Sequence, residues 1–91
     1  MAVYVDAAIH NYGRMVMCHM LADTIDELHE MADKIGVQRK WFQGKASSPH
    51  YDICKAKRTE AINNGAIEVS RKELVQVIKR LRQHNEHLNA S

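Results

Sequence analysis

Residues 24–43, TIDELHEMADKIGVQRKWFQ, decide the predicted fold, because they predict a helix that leads straight into a strand. Thr24 followed by Glu27 is a capping box, and apolar residues recur after it at steps of three and four. Gly36 is a typical residue just beyond the end of a helix. Residues 37–43 then alternate as a strand does, so the stretch predicts one helix–strand unit.

The same sequence of helix, glycine and strand occurs again around Gly65. Ser48-Pro49 or Ile53 would open that helix, and Ser70 with Glu73 is a capping box for a third. This alternation predicts an α/β fold in one small domain over residues 1–91, with a mostly parallel sheet of about four strands and three helices. The predicted order is β-β-α-β-α-β-α: 2–6, 14–21, 24–35, 37–43, a helix ending before 65, 66–69 and 71–88.

Composition places the chain among ordinary globular domains, with 45% hydrophobic and 26% charged residues in 91 positions. No apolar run approaches the roughly 20 residues of a membrane span, and the first residues lack the features of a signal peptide. We therefore expect a cytoplasmic protein with no membrane partner. Because a core of this size is marginal, a homo-oligomer is the expected state.

Charge is distributed unevenly along the chain. Residues 1–37 carry six acidic and two basic side chains, net −4, whereas residues 38–58 carry six basic and one acidic, net +5. The positive segment contains the only Trp, the only Phe and the triplet His50-Tyr51-Asp52. This combination favours an anionic partner, although solvated surface lysines and arginines would give the same count.

The candidate site lies where the carboxyl ends of the predicted parallel strands meet, which is where ligands gather in such sheets. The leading hypothesis is a binding protein for an anionic, nucleotide-like small molecule, with no cofactor. Trp41 or Tyr51 would stack on its ring, and Arg14, Arg58 and Lys55 would meet its phosphate. The candidate ligand-binding residues are Asp6, Arg14, His19, Trp41, Gln43, His50, Tyr51, Asp52 and Arg58.

Two alternatives remain open. His19, His29, His50 and Asp52 could form the site of a metal-dependent phosphoesterase or nuclease, although no HExxH or HxH spacing occurs. The last helix could bind nucleic acid or protein through a basic face, although a solvated face is the simpler interpretation. That face comprises Arg71, Lys72, Lys79, Arg80 and Arg82.

Several short motifs together resemble a known family: Tyr4-Val5-Asp6, Cys18-His19-Met20, Glu27-Leu28-His29, Trp41-Phe42-Gln43, His50-Tyr51-Asp52, and Arg58 with Gly65-Ala66. The chain is similar over residues 2–69 to the domain of unknown function 4031 family of bacteriophage and bacterial genomes. The resemblance implies a phage or bacterial cytosolic protein and supplies no activity. In a phage, such a protein could sequester or sense a host signalling nucleotide. Ile53-Cys54 depart from the Thr and the Pro- or Gly-like helix opener expected after the triplet.

Overall fold

The computed structural model describes residues 2–7, 10–12, 15–44 and 48–90, and within them the chain forms a mixed α/β fold. The strands are β1 (Val3–Val5), β2 (His10–Tyr12), β3 (Met15–Ala22), β4 (Tyr51–Cys54) and β5 (Ile67–Glu68). The helices are α1 (Ile25–Ile35), α2 (Lys55–Asn63) and α3 (Arg71–Ala90), with a short 3₁₀ helix at Arg39–Trp41. The three predicted helices are thus present.

The sheet is mostly antiparallel, so the prediction of a mostly parallel sheet was wrong. β3 pairs antiparallel with β1, β2 and β4, and the one parallel pairing joins β1 to β5. β4 and β1 both pair with Met20, so they must lie on opposite edges of β3. Short connections from β1 through β2 to β3 allow only antiparallel neighbours, because a parallel neighbour needs a long crossover.

The strand predicted at residues 37–43 does not form. Arg39–Trp41 is a 3₁₀ helix, and only Gln43 joins the sheet, through an isolated bridge to His50. The Arg39 guanidinium donates to both carboxylate oxygens of Asp33, at 3.3 and 2.9 Å, and this contact holds the segment against the end of α1. The alternation was misleading because Arg39, Trp41 and Gln43 are all exposed, so the face that a strand would have presented to the core is not buried.

The triplet at 50–52, expected in a loop and at the start of a helix, belongs instead to the sheet. Tyr51 and Ile53 are buried on one face of β4, while Asp52 and Cys54 lie on the other. α2 therefore starts later than predicted, at Lys55. The predicted loop at 7–13 also contains a strand, β2.

The local signals at both ends of α1 and at the start of α3 were correct. Glu27 N donates to Thr24 Oγ1 at the start of α1, and Gly36 ends that helix at φ 77°. Ser70 and Glu73 exchange the two hydrogen bonds of a capping box at the start of α3. The Ser48-Pro49 signal, by contrast, does not mark a helix start, because α2 begins at Lys55.

Two apolar clusters lie on opposite faces of the sheet. Val3, Val5, Cys18, Met20, Tyr51 and Ile53 pack with residues of α1 and α2 on one face. Tyr4 and Leu21 pack with Leu74 and Val77 of α3 on the other. Because side chains alternate along a strand, His19 and Asp52 share the α3 face, beyond the part that α3 covers.

Candidate functional site

Four predicted site residues, Asp6, His19, His50 and Asp52, meet on one face of the sheet. His19 of β3 and Asp52 of β4 are register partners, so their side chains are direct cross-strand neighbours. His50 lies two residues before Asp52 and shares its face, while Asp6 follows β1 on the other side of β3. We call these four residues the His–Asp cluster.

Asp6 is the buried end of the cluster, with no exposed surface. Its Oδ1 accepts from the backbone N–H of His19 at 2.7 Å, and its Oδ2 lies 2.8 Å from His19 Nδ1. Arg58 Nε donates to the Asp6 carbonyl oxygen at 2.6 Å. Asp6 therefore fixes the position of His19, and Arg58 fixes the backbone of Asp6.

His19 is more basic than a free histidine. The hydrogen bond that the His19 ring donates to Asp6 is the main cause of its raised pKa, and the negative charges of Asp6 and Asp52 add to it. Partial burial opposes the shift. A carboxylate behind an imidazole makes the outward nitrogen a stronger base and a stronger ligand.

Both rings of the cluster present Nε2 to the same carboxylate oxygen. His50 Nδ1 lies 2.7 Å from the carbonyl oxygen of Ser48, which can only accept, so this nitrogen carries the hydrogen. His50 Nε2 is then 3.4 Å from Asp52 Oδ1, and His19 Nε2 is 3.7 Å from it. The two rings pack edge to face, with their centroids 5.2 Å apart.

Tyr51 and His29 form a separate contact away from the cluster. Tyr51 is fully buried and its hydroxyl lies 2.7 Å from His29 Nδ1, with Phe42 packed against both rings. Burial raises the pKa of Tyr51. Tyr51 is thus a core residue here, and the structure separates His29 from His19 and His50.

A cavity of about 590 Å³ opens beside the cluster, and Asp52 belongs to both. Its lining includes Met17, Val37, Trp41, Gln43 and Lys57. Trp41 is 59% exposed. Sequence reasoning placed Trp41, Gln43 and Asp52 at the site but missed Lys57, which the sequence marked only as one of six bases in the positive segment.

Of the two predicted phosphate-binding arginines, Arg58 is not among the described residues that line this cavity. Arg58 donates to Asp6 and forms an ion pair with Glu68, so its guanidinium is used within the protein. Arg14 lies outside the described residues.

Fold and site define a small mixed α/β protein with a His–Asp cluster beside an open cavity. The chain belongs to the family described as "Protein of unknown function (DUF4031)", whose profile matches residues 3–81. The match confirms the resemblance and continues into the first half of α3. Comparison with curated proteins and with solved structures finds no match. Among the described residues, no helix has the length and apolarity to cross a membrane.

Proposed function

We propose that the protein binds an anionic, nucleotide-like small molecule in the cavity beside Asp52. Trp41 would stack on the planar ring and Lys57 would meet the phosphate. The observation that carries the proposal is that the only Trp of the chain is 59% exposed and lines the same cavity as a lysine. An exposed indole gives up apolar burial, and stacking on a ligand ring recovers it.

The dimensions and lining of the cavity support a ligand of this class. Small-molecule sites typically enclose about 300–1,000 Å³, with mostly apolar walls and a few polar groups that orient the ligand. Met17 and Val37 supply apolar wall, while Gln43 and Asp52 supply hydrogen-bonding groups. Since Asp52 would repel a phosphate, we place the phosphate toward Lys57 and the donor groups of the ring toward Asp52.

Lys57 takes the role that the sequence suggested for Arg58. The ammonium group of Lys57 lies 3.3 Å from Glu60 Oε2, an exposed pair that a phosphate could displace at small cost. Lys40 lies over the Trp41 ring, with Nζ 5.2 Å from its centroid, and adds positive charge near the stacking surface. The net +5 of residues 38–58 gives the same sign of field.

The test is titration with mono-, di- and triphosphate nucleotides, read by Trp fluorescence, which reports on Trp41 alone. We expect saturable quenching and a higher melting temperature. In calorimetry, Trp41→Ala should weaken binding by about 5- to 150-fold, because a stacked base contributes about 1–3 kcal/mol. Lys57→Ala should also weaken binding, because the ammonium group that meets the phosphate is lost.

Lys79→Ala is the matched control for Lys57→Ala, because Lys79 is an exposed lysine on α3. It should leave the affinity unchanged. The proposal fails if no nucleotide changes the fluorescence or the melting temperature, or if Trp41→Ala binds as tightly as the unaltered protein.

A further inference from the structure

We infer that His19, His50 and Asp52 form a binding site for one divalent transition-metal ion. Their donor atoms, two imidazole nitrogens and a carboxylate oxygen, lie within 4.8 Å of one another. Asp52 Oδ1 lies 3.4 Å from His50 Nε2 and 3.7 Å from His19 Nε2. An ion about 2.1 Å from each donor would hold tetrahedral ligands about 3.4 Å apart, which is close to both separations from Asp52.

The partners behind the two histidines are a second, independent observation. A metal-ligating histidine almost always donates its other ring N–H to a carboxylate or a backbone carbonyl. His19 has Asp6 in that position at 2.8 Å, and His50 has the Ser48 carbonyl at 2.7 Å. Both rings are therefore oriented with Nε2 toward the proposed ion.

A simple ion pair explains these distances less well. A protonated imidazole that donates to a carboxylate forms a short hydrogen bond, about 2.7–2.9 Å long. The separations from Asp52 are 3.4 and 3.7 Å, and they point two nitrogens at the same oxygen. Such spacing leaves room for an ion among three donors.

The donor set selects the class of metal. Imidazole nitrogen suits Zn²⁺, Co²⁺ and Fe²⁺, carboxylate oxygen also suits Mn²⁺, and Ca²⁺ and Mg²⁺ prefer all-oxygen sites. Three protein donors leave at least one coordination position open, as in catalytic rather than structural sites. Asp52 also lines the cavity, and an ion bound to it would offset its negative charge. If the proposed function is right, a phosphate of the ligand could then bind at this end of the cavity and occupy the open position. This is the arrangement that a phosphoesterase or nuclease would require.

The experiment measures metal directly, on protein purified without a histidine tag. Elemental analysis and calorimetry with Zn²⁺ and Co²⁺ should give one ion per chain, and Co²⁺ should show visible absorption bands. Asp52→Asn and His50→Gln should weaken binding by more than the 10- to 100-fold that loss of an outer partner typically costs. Melting temperatures of the metal-free variants check that both still fold.

His84 and His87 provide the matched control, because two histidines three positions apart in a helix have a spacing that could also bind a metal ion. The double variant His84→Ala/His87→Ala should keep one ion per chain. The inference is overturned if the protein binds no ion, or if the ion is lost from this double variant and retained by Asp52→Asn. Nucleotide titration in the presence of EDTA tests the proposed function separately, since Trp41 can respond to a ligand when no metal is bound.

Discussion

At the scale of single residues, Asp6 is the residue that fixes the position of His19. It is buried, and its carboxylate reaches both the backbone N–H and the ring of His19. A buried carboxylate is stable only when it is hydrogen-bonded, and Asp6 has both oxygens engaged. Asp6 lies on the far side of β3 from Asp52 and acts on the cluster through His19, so we treat it as a positioning residue.

Asp6→Asn should lower metal affinity by about 10- to 100-fold and leave the stoichiometry at one ion per chain, because the outer partner of His19 loses its charge. Calorimetry with Zn²⁺ measures both quantities. Asp33→Asn, at an exposed carboxylate paired with Arg39, should leave the affinity unchanged. Equal affinity in Asp6→Asn and the unaltered protein would show that Asp6 only supports the fold.

Residue types and alternation predicted part of the site. The alternation of residues 14–21 puts His19 on the face away from Cys18 and Met20, as the structure does. Two residues of the triplet, His50 and Asp52, lie beside His19, whereas Tyr51 belongs to the core. The contact of His19 with Asp52 could not be predicted, because it depends on a strand pairing across 33 positions, which no local pattern encodes. Trp41 was placed at the site for the wrong reason, since a 3₁₀ helix and not a strand presents it.

At the scale of elements, helices were predicted well because their end signals are local. The start of α3 is an example: Ser70 N donates to Glu73 Oε1 at 3.1 Å, and Glu73 N donates to Ser70 Oγ at 3.1 Å. These hydrogen bonds lower the pKa of Glu73 below its usual 4.5, with the backbone bond the larger cause. The strands lack such signals, and their pairing was wrongly predicted as mostly parallel.

The capping box predicts that the difference in melting temperature between the unaltered protein and Glu73→Gln depends on pH. A carboxylate whose folded pKa lies below its unfolded pKa stabilises the fold above the unfolded value, and this stabilisation is lost as the pH falls through the folded pKa. Glu73→Gln should therefore melt at a lower temperature at pH 7, and the difference should shrink below about pH 4. Melting curves from pH 7 to pH 3 measure this difference, and a difference that stays constant would show that the charge of Glu73 does not stabilise the fold.

α3 also has a specific tie to the sheet. Arg80 donates to the Tyr4 hydroxyl at 2.8 Å and to Asp23 at 3.1 Å, which fixes the helix over β1. One residue of the basic face is therefore used within the protein. Nucleic-acid binding through the remaining bases of this helix stays a prediction, with salt-dependent affinity as its signature.

At the scale of the whole molecule, the two faces of the sheet are covered differently. α1 and α2 cover one face with the larger apolar core. α3 packs on Tyr4 and Leu21 of the other face, and the His–Asp cluster lies beyond that contact. The homo-oligomer suggested by the small core stays a prediction, as does an origin in phage.

Metal binding should stabilise the entire fold, because the ligands come from β3 and from the segment leading into and through β4. An ion that binds only the folded state at a hundred times its Kd adds about 2.7 kcal/mol to the free energy of unfolding. Zn²⁺ should therefore raise the urea midpoint of the protein. Asp52→Asn should show no such rise, and a rise of equal size in that variant would place the ion elsewhere.

The register of β3 with β4 has a consequence for folding experiments. A slip of one residue would turn Tyr51 and Ile53 outward and send Asp52 and His50 into the apolar core. A misregistered chain would thus lose its core and its site in the same event, whatever its helix content. Metal binding by the cluster would therefore report correct alignment of β3 with β4. Circular dichroism would not, because it measures mainly the helix content.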